Sequence, residues 1–153
     1  SNPIGRLAEA ADLVNRRDAA IVPELVRLLG DTDPAIRYWA AIGLVGLGEK
    51  AASAEDALKK AISDMAPYVA VTAAEGLCHL GKIDAAMPAL RAGLKHESPL
   101  IRLRAINVLD RLGEQARPAI DAMRNARVEK GGHVGDYLNR MSVYVPAGLK
   151  EQE

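Results

Sequence analysis

Residues 34–48 read PAIRYWAAIGLVGLG, and this stretch decides the fold because it returns twice. Residues 67–81 read PYVAVTAAEGLCHLG and residues 99–113 read PLIRLRAINVLDRLG, about 33 residues on each time. A fixed spacing of this size marks an array of repeated units. Aligned on Pro34, Pro67 and Pro99, the second residue on is Ile36, Val69 or Ile101. The sixth is Ala40, Ala73 or Ala105, and the tenth is Leu44, Leu77 or Leu109. The thirteenth is Leu47, Leu80 or Leu112, followed at once by Gly48, Gly81 or Gly113. Those offsets share one face of a helix. Proline suits the first helical turn, and glycine suits the stop just past the end.

Outward from each of these helices, a second pattern precedes it. Pro23, Asp56 and Pro88 hold equivalent places, followed by Leu25, Leu58 and Leu90, then by Leu29, Ile62 and Leu94. The loops between carry Asp31 and Asp33, Asp64, and Glu97, acidic residues that suit the start of the next helix. Each unit is a hairpin of two helices of about 10 to 14 residues, too short to be stable alone in water and stabilised by stacking. The pattern predicts an all-α fold, a right-handed α-solenoid of about four helical hairpins.

Residues 18–127 hold the repeats. Residues 1–17 read as an N-terminal capping helix over 4–15, with Leu7, Ala11 and Val14 on one side. That helix either caps the first hairpin or is the second helix of an upstream repeat. Ser1-Asn2 reads as a cloning remnant, which places the native start upstream. A fourth unit opens with EQARPAIDAMRNAR, with Pro118 in the place of Pro88, and is interrupted by GGHVGD. Residues 128–153 read as an irregular C-terminal cap and tail: a short helix over 136–143, a stop at Val145-Pro146, and fraying over 150–153.

Composition narrows the partners. The chain has 153 residues, enough for one sizeable core. Aromatic residues are 3% of it, with one Trp, four Tyr and no Phe, too few for a mainly β fold. Twenty basic and twenty acidic residues cancel, so no electrostatic capture of nucleic acid or an anionic membrane is expected. No apolar run approaches the roughly 18 residues of a membrane helix. Cys78 is the only cysteine, so no internal disulfide forms, and one cysteine does not fix the compartment.

Pro23, Asp31 and Arg37, at spacings of eight and six, resemble the signature of HEAT repeats. In that family the Asp and Arg form a ladder between neighbouring hairpins, which makes Asp31, Arg37, Asp64 and Arg102 the ladder candidates. The match is uneven: Ala70 stands where the second unit needs Arg, and His96 where the third needs Asp. Asp64 is left to pair with an Arg of an adjacent repeat. More narrowly, DTDPAIRYWAAIGLVGLG, AAEGLCHLG and RLRAINVLDRLGEQARPAI resemble the HEAT-type C-terminal domain of bacterial sulfatases. That resemblance implies an alkaline-phosphatase-like catalytic domain upstream in the same chain as the partner, and a periplasmic or extracellular setting. The alternatives are a free-standing HEAT adaptor for another protein, and the HEAT-like lyases that attach bilins to phycobiliproteins.

The fragment itself offers no catalytic, cofactor-binding or metal constellation. Sulfatases need C/S-x-P-x-R, but Cys78 is followed by HLGK, SNPIG lacks the Arg, and Ser98-Pro99 is misspaced. EKGGHVGD is too short for a phosphate loop, and H-E-x-x-H is absent. Cys78 and His79 are adjacent on a helix and point about 100° apart, a poor chelate. His96 reads as a loop residue in the ladder Asp's place, and His79 as an exposed helix residue.

What remains is a face. Offsets 1, 5, 8 and 12 from each proline project along a stripe separate from the core. The candidate interface residues are Tyr38, Trp39 and Ile42 at one end, Glu75 and His79 in the middle, and Arg104, Asn107 and Arg111 at the other. A Trp-Tyr cluster is the kind of anchor that dominates interfaces. The competing reading has the N-terminal helix cover both rings. Arg104 and Arg111 either bind an anionic group or form a solvated face with local salt bridges.

Overall fold

The computed structural model describes residues 3–149; the remnant read at Ser1-Asn2 and the tail read over 150–153 lie outside them. Among the described residues every regular element is helical and no strand occurs. First and second helices of hairpins alternate along the chain, the all-α architecture of the α-solenoid class. The chain divides into two compact units, 1–86 and 87–153.

In the first unit, α1 (Pro3–Asn15) is followed by a 3₁₀ turn (Ala19–Ile21) and α2 (Val22–Leu28), then by α3 (Pro34–Leu47). A 3₁₀ segment (Gly48–Ala54) leads into α4 (Glu55–Ala61), and α5 (Pro67–His79) follows. α3 packs on α1, α2 and α5, and α4 packs on α5. The helix α6 (Ile83–Leu94) contains the boundary between the units. Pro88 lies inside it, where a proline withholds one backbone hydrogen bond. The second unit continues with α7 (Pro99–Leu112), a 3₁₀ segment (Gly113–Ala119), α8 (Ile120–Arg124) and α9 (Gly132–Gly148). Both α7 and α8 pack on α9.

The repeat punctuation works as local chemistry. Pro34, Pro67 and Pro99 each open a helix, and Gly48, Gly81 and Gly113 take φ of 54°, 72° and 54° just beyond its end. Only glycine adopts that left-handed conformation without a steric penalty. Asp33 caps α3 by accepting from the Ala35 N–H at 2.9 Å. Asp31, Asp64 and His96 each accept the N–H two residues on, at 2.9, 2.8 and 3.0 Å, closing the same turn three times. His96 thus does the turn work of the aspartate it replaces.

The core follows the offsets, with additions. Ile36, Ala40, Leu44 and Leu47 are buried, as are Val69, Ala73 and Leu77, and Ala105 and Leu109. Leu80, Ile101 and Leu112 are only half-buried. A seventh offset, Ala41, Ala74 and Ile106, is buried too, because each second helix presses on more than one neighbour. Leu25 and Leu58 of the first helices seat over Gly43 and Gly76: a Cβ there would meet their side chains at 2.9 and 3.2 Å.

Three differences from the sequence reading matter. The last helix runs over Gly132–Gly148, well beyond residues 136–143, and Pro146 is buried within it rather than ending it. Pro118 lies in the 3₁₀ segment before α8 and is not the counterpart of Pro88 in mid-α6. The two longer 3₁₀ segments are themselves a repeat, GEKAASA and GEQARPA, with Ala51, Ala54, Ala116 and Ala119 almost wholly buried. Only a methyl-sized side chain lets that tight backbone approach the core.

Candidate interaction surface

The second helices of the first unit bring three aromatic rings together. Tyr38 on α3 meets Tyr68 on α5 edge to face, with centroids 5.4 Å apart and planes at 84°. Trp39 lies beside Tyr38 at 6.3 Å and 59°. All three are half-buried, so neither full coverage by α1 nor full exposure describes Trp39. Tyr68, at offset 1 from Pro67, lies on the expected stripe. Its contact with Tyr38 is readable only across repeats, since offset 4 of one second helix meets offset 1 of the next. T-shaped pairs at this separation contribute beyond the area they bury.

Along the rest of the expected stripe, burial differs from residue to residue. In the first unit Ile42 is half-buried and His79 is exposed, one ring nitrogen lying 3.2 Å from the Val45 carbonyl oxygen. Glu75 corrects the expectation, because it is only 9% exposed. Thr72 on the same stripe is wholly buried, with its hydroxyl donating to the Tyr68 carbonyl at 2.6 Å. Every residue of α5 from Val71 to Cys78 is buried, so this helix has no solvent stripe along its middle. In the second unit Arg104 and Asn107 are half-buried and Arg111 is exposed. Each of the two arginines holds an interaction within the protein.

The loops beneath the aromatic cluster are clamped by charge. Arg37 donates from Nε to Asp64 Oδ2 at 2.7 Å and from Nη2 to Oδ1 at 2.8 Å, a two-pronged pair. Its Nη1 also donates to the Asp31 and Thr32 carbonyls at 2.9 and 3.2 Å. Arg6 of α1 pairs with Asp31 in the same way that Arg37 of α3 reaches Asp64, so α1 stands to α3 as α3 stands to α5. Arg102 donates instead to the carbonyls of His96 and, at 3.0 Å, of Arg127. Asn139 of α9 bonds the Val128 N–H and carbonyl, both at 2.8 Å.

The Arg37 hydrogen bonds hold the Asp64 carboxyl below its ordinary value, against a burial effect that raises it. Asp31 is also lowered, first by the Asp33 N–H and then by Arg6. Both carboxylates accept a backbone N–H and an arginine hydrogen bond. Among the described residues no three His, Cys, Asp or Glu side chains converge as a metal site would need. Cys78 is buried.

Residues 54–130, half of the chain, match the family model described as HEAT repeats, and residues 21–51 match a second, described as HEAT repeat. The chain belongs to the HEAT-repeat family. No curated protein matches it in sequence. The shorter match takes in α2 and α3, the HEAT hairpin that carries Tyr38 and Trp39. The longer match opens in the 3₁₀ segment before α4 and ends short of α9. No helix of this HEAT protein is long and apolar enough to cross a membrane among the described residues.

Proposed function

We propose that this chain is a non-catalytic HEAT-repeat interaction module that docks a protein through the Tyr38–Trp39–Tyr68 cluster. HEAT repeats usually mediate protein interactions. The observation that carries the reading is the half-buried aromatic cluster itself, held on two stacked helices beside loops clamped by Arg37 and Asp64. Rings fixed on helices lose little freedom on binding, so a partner gains their contact area at low entropic cost. Ile42, half-buried on the same helix, extends the patch; Arg104, Asn107 and Arg111 belong to the other unit.

The narrower reading is an accessory C-terminal domain of a bacterial sulfatase, with the catalytic domain as the docked partner. It is supported by the sequence resemblance alone. Under either reading the chain scaffolds and positions, and does no chemistry of its own. A photo-crosslinking residue at position 39, with Lys59 on α4 as the control position, tests the proposal in the cells that make the protein. One protein crosslinked at 39 and not at 59 is the expected result, and a sulfatase catalytic domain as that product selects the narrower reading. Equal labelling at both positions, or none at 39, overturns the docking role.

A further inference from the structure

We infer that the exposed end of the second unit is a docking surface for α1 of a second copy of this chain, so that copies associate head to tail. α9 buries Leu138, Ser142, Val145 and Leu149 on one side. Its opposite side keeps Tyr137, Val143 and Tyr144 at 44%, 55% and 73% exposure, more apolar surface than a solvent face needs. Beside it, α8 and α9 enclose a groove of about 400 Å³, floored by Ser142, Val143, Pro146 and Ala147 and edged by Arg124 and Arg127. Arg124 holds Asp121 at 3.3 Å, a mostly exposed pair that can be exchanged, and Arg140, outside the groove lining, stacks 5.7 Å from the Tyr137 ring centre. The groove therefore fits a helix with an apolar strip and acidic flanks.

α1 is such a helix. Its exposed residues include Ile4, at 76% exposure, and Ala8, with Glu9 and Asp12 beside them on the rim of the groove between α1 and α2. Asp12 reaches only Arg16, at 3.8 Å, with both side chains mostly in solvent, so it can exchange that partner for a groove arginine. Within the chain, α1 already offers α3 the face that α3 offers α5, with Arg6 and Arg37 making matching ion pairs. The outer face of α1 is the one such a stack presents to a preceding helix. Seating it on α9 repeats between copies the contact mode used within the chain. The two surfaces differ, so the contact is heterologous.

The test is sedimentation equilibrium of the 153-residue chain up to about 1 mM, the range of weak association, at low and high salt. Average mass is expected to rise with concentration, and to fall back in high salt because screening weakens the Arg–carboxylate contacts. Charge reversal decides. The double variant Arg124→Glu/Arg127→Glu and the double variant Glu9→Arg/Asp12→Arg each associate at least tenfold more weakly alone, with unchanged circular dichroism. Mixed in equal amounts they associate again, since each mutant end then meets an end of opposite sign. A wild-type chain that stays monomeric throughout overturns the inference. So does association that survives both double variants, or that is lost only on Trp39→Ala, which would place the contact at the aromatic cluster.

Discussion

Arg37 shows how much one side chain does in this fold. Its fork holds Asp64 of the next loop while its remaining nitrogen holds the carbonyls of its own. Charged hydrogen bonds of this kind contribute about 1.5–3 kcal/mol each, and both partners are largely shielded from water. Arg37→Ala is expected to lower stability by about 2–3 kcal/mol in urea unfolding. Because the folded-state pKa of Asp64 is depressed, the pair stabilises fully above the ordinary aspartate value and is lost as pH falls through the lowered one. Asp64→Asn should therefore be less stable than wild type at neutral pH and flatten the acid limb of the stability curve. Equal pH dependence in the two proteins contradicts the pairing. Gly43 makes a second residue-scale case. Gly43→Ala pushes a methyl against Leu25 and Val14 and should destabilise by about 1–3 kcal/mol. Gly46→Ala on the same helix meets nothing within 4 Å, so it should be neutral or stabilising by up to about 1 kcal/mol.

At the scale of elements, the second helices were legible because proline, spaced aliphatics and glycine all point to the same start, face and stop. The first helices were less so. Two of them begin with 3₁₀ segments whose small residues look like loop until Ala54 and Ala119 are seen buried. Ala54→Leu and Ala119→Leu should each cost about 1–3 kcal/mol by overpacking, where a loop alanine would tolerate the change. α5 escaped the stripe reading because offsets assume one buried face, while this helix buries Val71 to Cys78 in a continuous run. That is why Glu75 was misplaced on a surface. α9 escaped because Pro146 and the glycines before Asp136 are stop signals in isolation, yet Gly135 packs on Val128 and helical structure carries through both. Leu138→Ala, at the fully buried centre of α9, should cost about 2–5 kcal/mol. A smaller loss would mean that α9 is a peripheral cap.

For the whole molecule, the repeat period sufficed for the fold class, since stacked hairpins need only a matching apolar stripe on each helix. The docking cluster was half legible. Trp39 and Tyr38 stand out by composition, but Tyr68 joins them only through the pairing of neighbouring repeats. The charged candidates were not legible as a site, because an offset along a helix does not say what an Arg104 or Arg111 side chain meets. The central claim is that the aromatic cluster stands open enough to anchor a partner. Trp39 is the only tryptophan, so its emission and acrylamide quenching report that cluster alone. The account predicts emission between the fully exposed and fully buried limits, with clear quenching by acrylamide. Blue-shifted emission protected from acrylamide would make the cluster internal packing and contradict its role as a docking anchor.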